Sequence, residues 1–180
     1  MRKNILFTSD THFWHSNIIK YVKRPFKNID EMNETLIRNW NSVVSDNDDV
    51  YHLGEFGFGG PKRLEQIITR LKGNKFLIKG NHDHSRTLKK LEKHFVWIKD
   101  VELINVHDRL IWLSHYAHRT WPQKKYGTWH LYGHSHGTLS PAKDKSLDVG
   151  VDIFNYYPIP FEVIKNVMEV KFDECQNTNS

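Results

Sequence analysis

The chain carries one cysteine, Cys175, among 180 residues. A single thiol forms no internal disulfide and builds no thiolate cluster, so any metal site must use nitrogen and oxygen ligands. Long apolar runs are also missing. Ile5-Leu6-Phe7 passes at once into Thr8-Ser9-Asp10, too short for the core of a signal peptide, and no other stretch approaches the ~20 apolar residues of a membrane span. Neither a repeat, a low-complexity tract nor a linker interrupts the chain, and no Ser or Cys nucleophile motif is apparent. These absences lead to the expectation of a soluble, cytoplasmic protein that needs neither a membrane nor an obligate protein partner. Basic residues form no single block: Lys23-Arg24, Lys62-Arg63, Lys89-Lys90 and Lys124-Lys125 lie scattered. The net charge of +5 therefore fits an anionic partner and a solvated basic surface equally well.

The hydrophobic content is 38% and the aromatic content 13%, enough for one substantial core. Apolar periodicity supports one domain over residues 1–172 and a disordered polar tail over 173–180. Short strands are expected at 3–8, 49–53, 75–79, 96–106, 109–114, 130–132 and 147–151. Met32, Leu36, Trp40, Val43 and Val44 mark one helical face, with Asp30 as N-cap. Further helices are expected at 61–72, with Pro61 in the first turn and Gly73 ending it, at 85–94 capped by Ser85, and at 160–170. Crossovers first and hairpins later predict an α/β fold of two packed mixed sheets flanked by helices.

The polar residues that follow these strands are Asp10-Thr11-His12, Gly54-Glu55, Gly80-Asn81-His82-Asp83, Ser114-His115 and Gly133-His134-Ser135-His136. Ligand-binding loops gather at carboxyl ends of strands in α/β sheets. A carboxylate and an imidazole two residues apart, or a His-x-His pair, can reach one ion from an extended loop, and glycine before a ligand permits a tight turn. A lone histidine is more often a packed side chain than a ligand, which is the reading given to His52, His94, His107 and His130. Five ordered loop motifs at strand exits point instead to a metal centre.

These motifs resemble those of the calcineurin-like metallophosphoesterases, and the likeness spans roughly residues 3 to 170. Gly80-Asn81-His82-Asp83 and Gly133-His134-Ser135-His136 are its most specific parts. The ending Val149-Gly150-Val151-Asp152-Ile153-Phe154-Asn155 looks like that of the small, uncapped members common in bacteria and phages. The resemblance implies that Asp10, His12 and His136 hold one divalent ion and that Asn81, His115 and His134 hold a second, with Glu55 as bridge. His82 would face the scissile phosphate without binding metal, stabilising charge or protonating the leaving oxygen. Nitrogen and oxygen ligands suit Mn²⁺, the ion expected here, as well as Fe, Zn²⁺ or Ni²⁺.

The resemblance also implies hydrolysis of a phosphate ester by activated water. Protein phosphatases of the family carry Gly-Asp-x-x-Asp-Arg where this chain has Gly54-Glu55-Phe56-Gly57-Phe58-Gly59, so a phosphodiester of nucleotide or nucleic-acid type is the expected substrate. A phosphomonoesterase, a pyrophosphate-cleaving nucleotidase and a binding scaffold without turnover are the alternatives. His15, Asn17, Arg86, His118 and Arg119 are candidate substrate contacts, while Trp14 and Trp121 read as packing residues. Glu55 departs from the family's aspartate. Its extra carbon moves the carboxylate by ~1.5 Å, against a tolerance of about 0.5 Å in active-site constellations, which implies a carboxylate that folds back, binds one ion or shifts the backbone, and slower chemistry.

Overall fold

A computed structural model describes residues 3–140 and 144–177, with side chains through residue 170. Its first sheet has the order β4-β3-β2-β1-β9. The strands β1 (Ile5–Thr8), β2 (Asp49–His52), β3 (Asn74–Ile78) and β4 (Trp97–Lys99) run parallel, and the short β9 (Ile159–Pro160) pairs antiparallel at the edge. The second sheet, β5-β6-β7-β8, joins β5 (Val101–Val106) antiparallel to β6 (Arg109–Ser114), followed by parallel β7 (Trp129–Tyr132) and β8 (Ser146–Asp148). This is the expected α/β arrangement of two mixed sheets.

Alternation along each strand builds two cores. Leu6, Val50 and Leu77 face Met32, Leu36, Trp40, Leu64 and Leu88 of the helices, whereas Phe7, Leu53 and Ile78 point to Ile111, Leu113 and Leu131 of the other sheet. The helices on the first face are α1 (Ile18–Tyr21), α2 (Ile29–Val43), α3 (Gly60–Ile68) and α4 (Ser85–Leu91). From α5 (Phe161–Asn177), Phe161, Ile164 and Met168 enter the core between the sheets.

Several boundaries differ from expectation for identifiable reasons. The strand expected over 96–106 breaks at Asp100, and the chain changes sheets there, β4 ending one and β5 opening the other. Among the described residues only one hairpin follows, its turn made by His107 and Asp108 at φ 46° and 64°, the left-handed pair that suits strand twist. The remaining strands of that sheet are joined by parallel crossovers. In α2 the N-cap is Asn28 rather than Asp30: its side chain accepts from Glu31 N at 2.9 Å, while Glu31 Oε2 accepts from Lys27 N at 2.6 Å. Ile37 replaces Val43 on the buried face, Val43 being 38% exposed. Helix α3 starts at Gly60 and stops at Ile68, and His84 occupies the N-cap of α4 in place of Ser85. The backbone of α5 continues to Asn177, since no Gly or Pro stands after Pro160 to end it. Residues 173–177 of the expected disordered tail are thus helical, and the Cys175 side chain lies outside the described residues. No helix among those residues is long and apolar enough to cross a membrane.

Leu53 is fully buried between the sheets, one residue before Gly54-Glu55, and its carbonyl accepts from His115 Nδ1 at 2.8 Å. Leu53→Ala is expected to lower stability by about 2–5 kcal/mol through lost burial and a residual cavity. Urea denaturation measures this, and a loss below about 1 kcal/mol would mean that the two sheets do not depend on this contact.

Candidate metal centre

Parallel pairing of β1, β2 and β3 sets the ends of these strands side by side, and the loops beyond them continue the pairing. Asp10 N donates to Gly54 O and His12 N to Glu55 O, both at 2.9 Å, and Gly133 N donates to His115 O at 3.0 Å. Gly54 and Gly133 permit this closeness. A Cβ on Gly54, itself at φ 101°, would lie 2.5 Å from His115 Nδ1, and one on Gly133 would overlap Ser9 Oγ.

The loops bring together ligand atoms of Asp10, His12 and His136 within 4.8 Å of one another. Asp10 is fully buried; its Oδ2 accepts from His134 N at 2.9 Å, and its Oδ1 has no hydrogen-bond partner. His12 Nε2 and Glu55 Oε2 are likewise buried without partners, although Glu55 Oε2 lies 3.6 Å from His12 Nδ1. Burial raises the pKa of Asp10 and of Glu55 to about 7 and drives that of His12 far below its ordinary value. Desolvated carboxylate oxygens and neutral imidazole nitrogens facing one space are a donor set that fits a divalent cation.

A second pairing lies beside the first. His115 Nδ1 donates to the Leu53 carbonyl, so in the neutral ring Nε2 is a lone pair, and it stands 3.1 Å from Asn81 Oδ1. Burial holds His115 near a pKa of about 4, keeping it neutral. Two acceptors thus face each other, as ligands of one cation do. The His134 ring packs edge-on against His115, with centroids 5.0 Å apart. Glu55 folds back: its Oε1 accepts from His82 N at 2.6 Å, leaving Oε2 toward His12.

Asp10, His12, Glu55, His134 and His136 all have positive φ, from 48° to 66°. Such a conformation costs of order 1–3 kcal/mol per residue in non-glycine positions. Glycine would relieve the strain and supply no ligand.

A family model described as the calcineurin-like phosphoesterase superfamily domain matches residues 4–150. The chain belongs to this superfamily. An uncharacterized protein of Methanocaldococcus jannaschii is 36% identical over 178 residues, covering 94% of this chain and 93% of that protein. A protein of unknown function from Aquifex aeolicus has a similar structure, with a TM-score of 0.75, 26% identity and coverage of 92% of this chain and 100% of that one. An archaeal phosphodiesterase shares the fold at 20% identity and a TM-score of 0.50, covering 82% of each chain. Membership implies a phosphoester substrate for this phosphoesterase, and its Asp10, His12 and His136 group is consistent with the metals of the family.

The remaining candidates are distributed unevenly around the centre of the phosphoesterase. His82 is exposed on the loop after β3, its ring 5.4 Å from that of Phe58. His15 stacks on Phe58 at 4.1 Å and lies 3.4 Å from His12 through the Nδ1 atoms. His118 lines a cleft of about 450 Å³ beside Asn81 and His115. Arg86 and Arg119 are exposed outside that lining, and Asn17 is the exposed N-cap of α1. Trp121 is buried and Trp14 donates to Arg63 O, as packing residues do. His52 and His130 are buried and His94 bonds Glu65, whereas His107 is an exposed turn residue.

Three supporting residues escaped the sequence reading. Asp83 accepts from Glu55 N, Phe56 N and Gly80 N at 2.8–3.1 Å and so ties two ligand loops together. Asp152 accepts from His136 Nδ1 at 2.7 Å, leaving Nε2 as the free ligand atom, and pairs with Arg24 through two bonds of 2.8 Å. Arg24 also donates to the carbonyls of Asp10 and Thr11 at 2.7 and 3.0 Å. Asp83 and Asp152 stood inside quoted motifs, so position was the available signal. Arg24 sat in a basic pair read as surface, yet it is 4% exposed. Burial works to lower the His136 pKa, and the bond to Asp152 together with the charges of Asp10 and Asp152 raises it above its ordinary value.

Asp152→Asn is expected to weaken Mn²⁺ binding about 10–100-fold, the usual effect of losing an outer partner of a ligating histidine. Competition with a chelator measures it, with thermal denaturation reporting that the protein remains folded. Unchanged affinity in the folded variant would refute the orienting role.

Proposed function

We propose that this phosphoesterase is a dinuclear, metal-dependent phosphodiesterase that acts on a nucleotide or nucleic-acid type substrate in the cytoplasm. The observation that carries the reading is the convergence of unpartnered buried ligand atoms of Asp10, His12 and Glu55 with the facing acceptors of Asn81 and His115. Asp10, His12 and His136 would hold the first ion and Asn81, His115 and His134 the second, with Glu55, whose Oε2 lies 3.6 Å from His12 Nδ1, as the shared ligand. Mn²⁺ is the favoured ion, with Fe, Zn²⁺ or Ni²⁺ compatible with the same donors. When bound, the ions supply Lewis-acid polarisation of a phosphoryl oxygen and a water acidic enough to attack in line.

The protein's own part is positioning and proton management. Asp83 and the Arg24–Asp152 pair hold the ligand loops at fixed separation. His82 is exposed, off the ligand set, and its backbone N–H is anchored on Glu55 Oε1. An imidazole so placed can donate to an equatorial oxygen or give its proton to the leaving oxygen. The diester preference draws support from Phe56-Gly57-Phe58-Gly59 where protein phosphatases of the family carry acid and arginine, and from the cleft beside Asn81, which has room for a second ester substituent.

With Mn²⁺, hydrolysis of bis-p-nitrophenyl phosphate is expected to exceed that of p-nitrophenyl phosphate. The reverse order would install the phosphomonoesterase reading, and metal binding without turnover the scaffold reading. His82→Ala should keep its metal content and lose turnover by ~10²-fold or more. Parallel loss of metal, measured by mass spectrometry, would make His82 a ligand instead.

Glu55 gives a further test. An aspartate in its place ends short of the His82 amide, freeing both oxygens for cations. Glu55→Asp is expected to raise turnover in Mn²⁺ by about tenfold or more, equivalent to ~1.4 kcal/mol of barrier. Equal or lower turnover with both sites saturated would show that the pocket is built around glutamate.

A further inference from the structure

The cleft beside Asn81 and His115 contains a side chain whose tautomer and direction are set by its neighbours. Trp112 Nε1–H donates to His118 Nδ1 at 3.1 Å. An indole nitrogen only donates, so Nδ1 is the acceptor and neutral His118 carries its proton on Nε2. The backbone N–H of His118 donates to His130 Nε2 at 3.1 Å, and His130 Nδ1 donates to the Trp112 carbonyl at 3.2 Å. His130 is completely buried, which lowers its pKa to about 4 and keeps it the neutral ring that this pattern needs. The three bonds close a circuit through Trp112, His130 and His118. The Nε2–H of His118 takes no part in it, and His118 is one of the residues that line the cleft.

The rest of the wall has a consistent chemistry. At about 450 Å³ the cleft falls within the range of small-molecule sites. His84, Ser85, Tyr116 and His118 line it with side chains that carry N–H and O–H groups, while Lys79 and Asp100 face each other as an ion pair. Its two carboxylates are already engaged, Asp100 by Lys79 at 2.5 Å and Asp83 by the three loop amides. Donors therefore outnumber free acceptors, which suits a ligand rich in oxygen and ring-nitrogen acceptors. At the rim the Tyr116 ring is 48% exposed and braced against His134 at 4.6 Å, a flat surface on which a base can stack.

We propose that this cleft binds the nucleoside on one side of the scissile phosphate, with His118 Nε2–H donating to an acceptor on the sugar or base and Tyr116 stacking the base. The assignment rests on the phosphodiesterase reading above and specifies its substrate. His118 is a binding residue under this proposal. Trp112 is a positioning residue that fixes the His118 tautomer, so that little ordering is needed when the ligand arrives.

The Mn²⁺-loaded protein is tested with adenosine 5′-monophosphate by calorimetry and with a dinucleotide in turnover. His118→Ala is expected to raise the Kd for adenosine 5′-monophosphate and the KM for the dinucleotide by about tenfold, with a much smaller change in kcat. Metal content should be unchanged, and His118→Gln, which keeps an N–H, should recover most of the loss. In ¹⁵N spectra, Trp112→Phe should replace the single Nε2–H tautomer of His118 with a mixture and weaken nucleotide binding by a smaller factor. Wild-type affinity in His118→Ala, or a glutamine variant no better than alanine, would overturn the subsite. Nucleotide binding that depends on His118 in a protein that cleaves only monoesters would support the subsite and overturn the diesterase reading.

Discussion

Asp10 has no exposed surface, and one of its carboxylate oxygens has no hydrogen-bond partner. An ionised carboxylate in such a place is costly unless positive charge lies against it. His12 Nε2 stands 3.9 Å from that oxygen, but its own burial keeps the imidazole neutral, and the charge of His136, whose pKa is raised, offsets the burial of Asp10 only in part. The same deficit recurs at Glu55 Oε2. Each group is tolerable alone only by binding a proton, and the pKa of each carboxyl rises to about 7 accordingly. A divalent cation held by these groups would resolve the deficits together, in place of the protons. The centre is thus unbalanced by itself, and the surrounding fold serves to keep it from relaxing.

Relaxation is blocked by a frame of ordinary hydrogen bonds. Left-handed backbone at Asp10, His12, Glu55, His134 and His136 aims five side chains inward at the expense of strain. Asp83 gathers three amides across two loops, and Arg24 holds the carbonyls of Asp10 and Thr11 from the other side. Arg24 is itself a buried charge, made tolerable by its bidentate pairing with Asp152. Removing one member of such a pair leaves the other uncompensated. The ion pair therefore belongs to the metal centre as much as to the core, because Asp152 ends on His136.

How much of this was legible in the sequence depended on the distance over which each signal acts. The strand-end placement of Asp10, Glu55, Asn81, His115 and His134 followed from local pattern: short apolar strands followed by polar, glycine-bearing loops. The two-sheet architecture followed from the same pattern. The switch of sheets at Asp100 did not, since no local feature of residues 96–106 distinguishes a strand that changes partners from one that continues. The cap at Asn28 was missed although Asn28 and Glu31 have capping-box spacing, because Asp30 is an equally good cap by residue type. Arg24 and Asp152 are separated by 128 positions. A contact of that range has no periodicity to reveal it, and a basic pair beside a proline reads as surface.

The two halves of the site differ in the way they are held, and that difference bears on function. Around Asp10, His12 and His136 the ligand atoms are enclosed and braced by a buried ion pair. Around Asn81 and His115 the wall opens: Asn81, His82 and His134 are exposed, and the cleft begins there. In the proposed reading a substrate approaches from the open side, so the rigid half sets the position of charge while the open half meets the varied part of the ligand. His118 extends this order outward, since its direction comes from Trp112 and His130 in the second sheet, whereas Asp10, His12 and Glu55 take theirs from the first. Packing of the two sheets through Phe7, Leu53, Ile78, Ile111 and Leu131 therefore does more than stabilise the domain. In the proposed reading it fixes the distance between the place where phosphate charge is met and the place where the rest of the substrate is recognised.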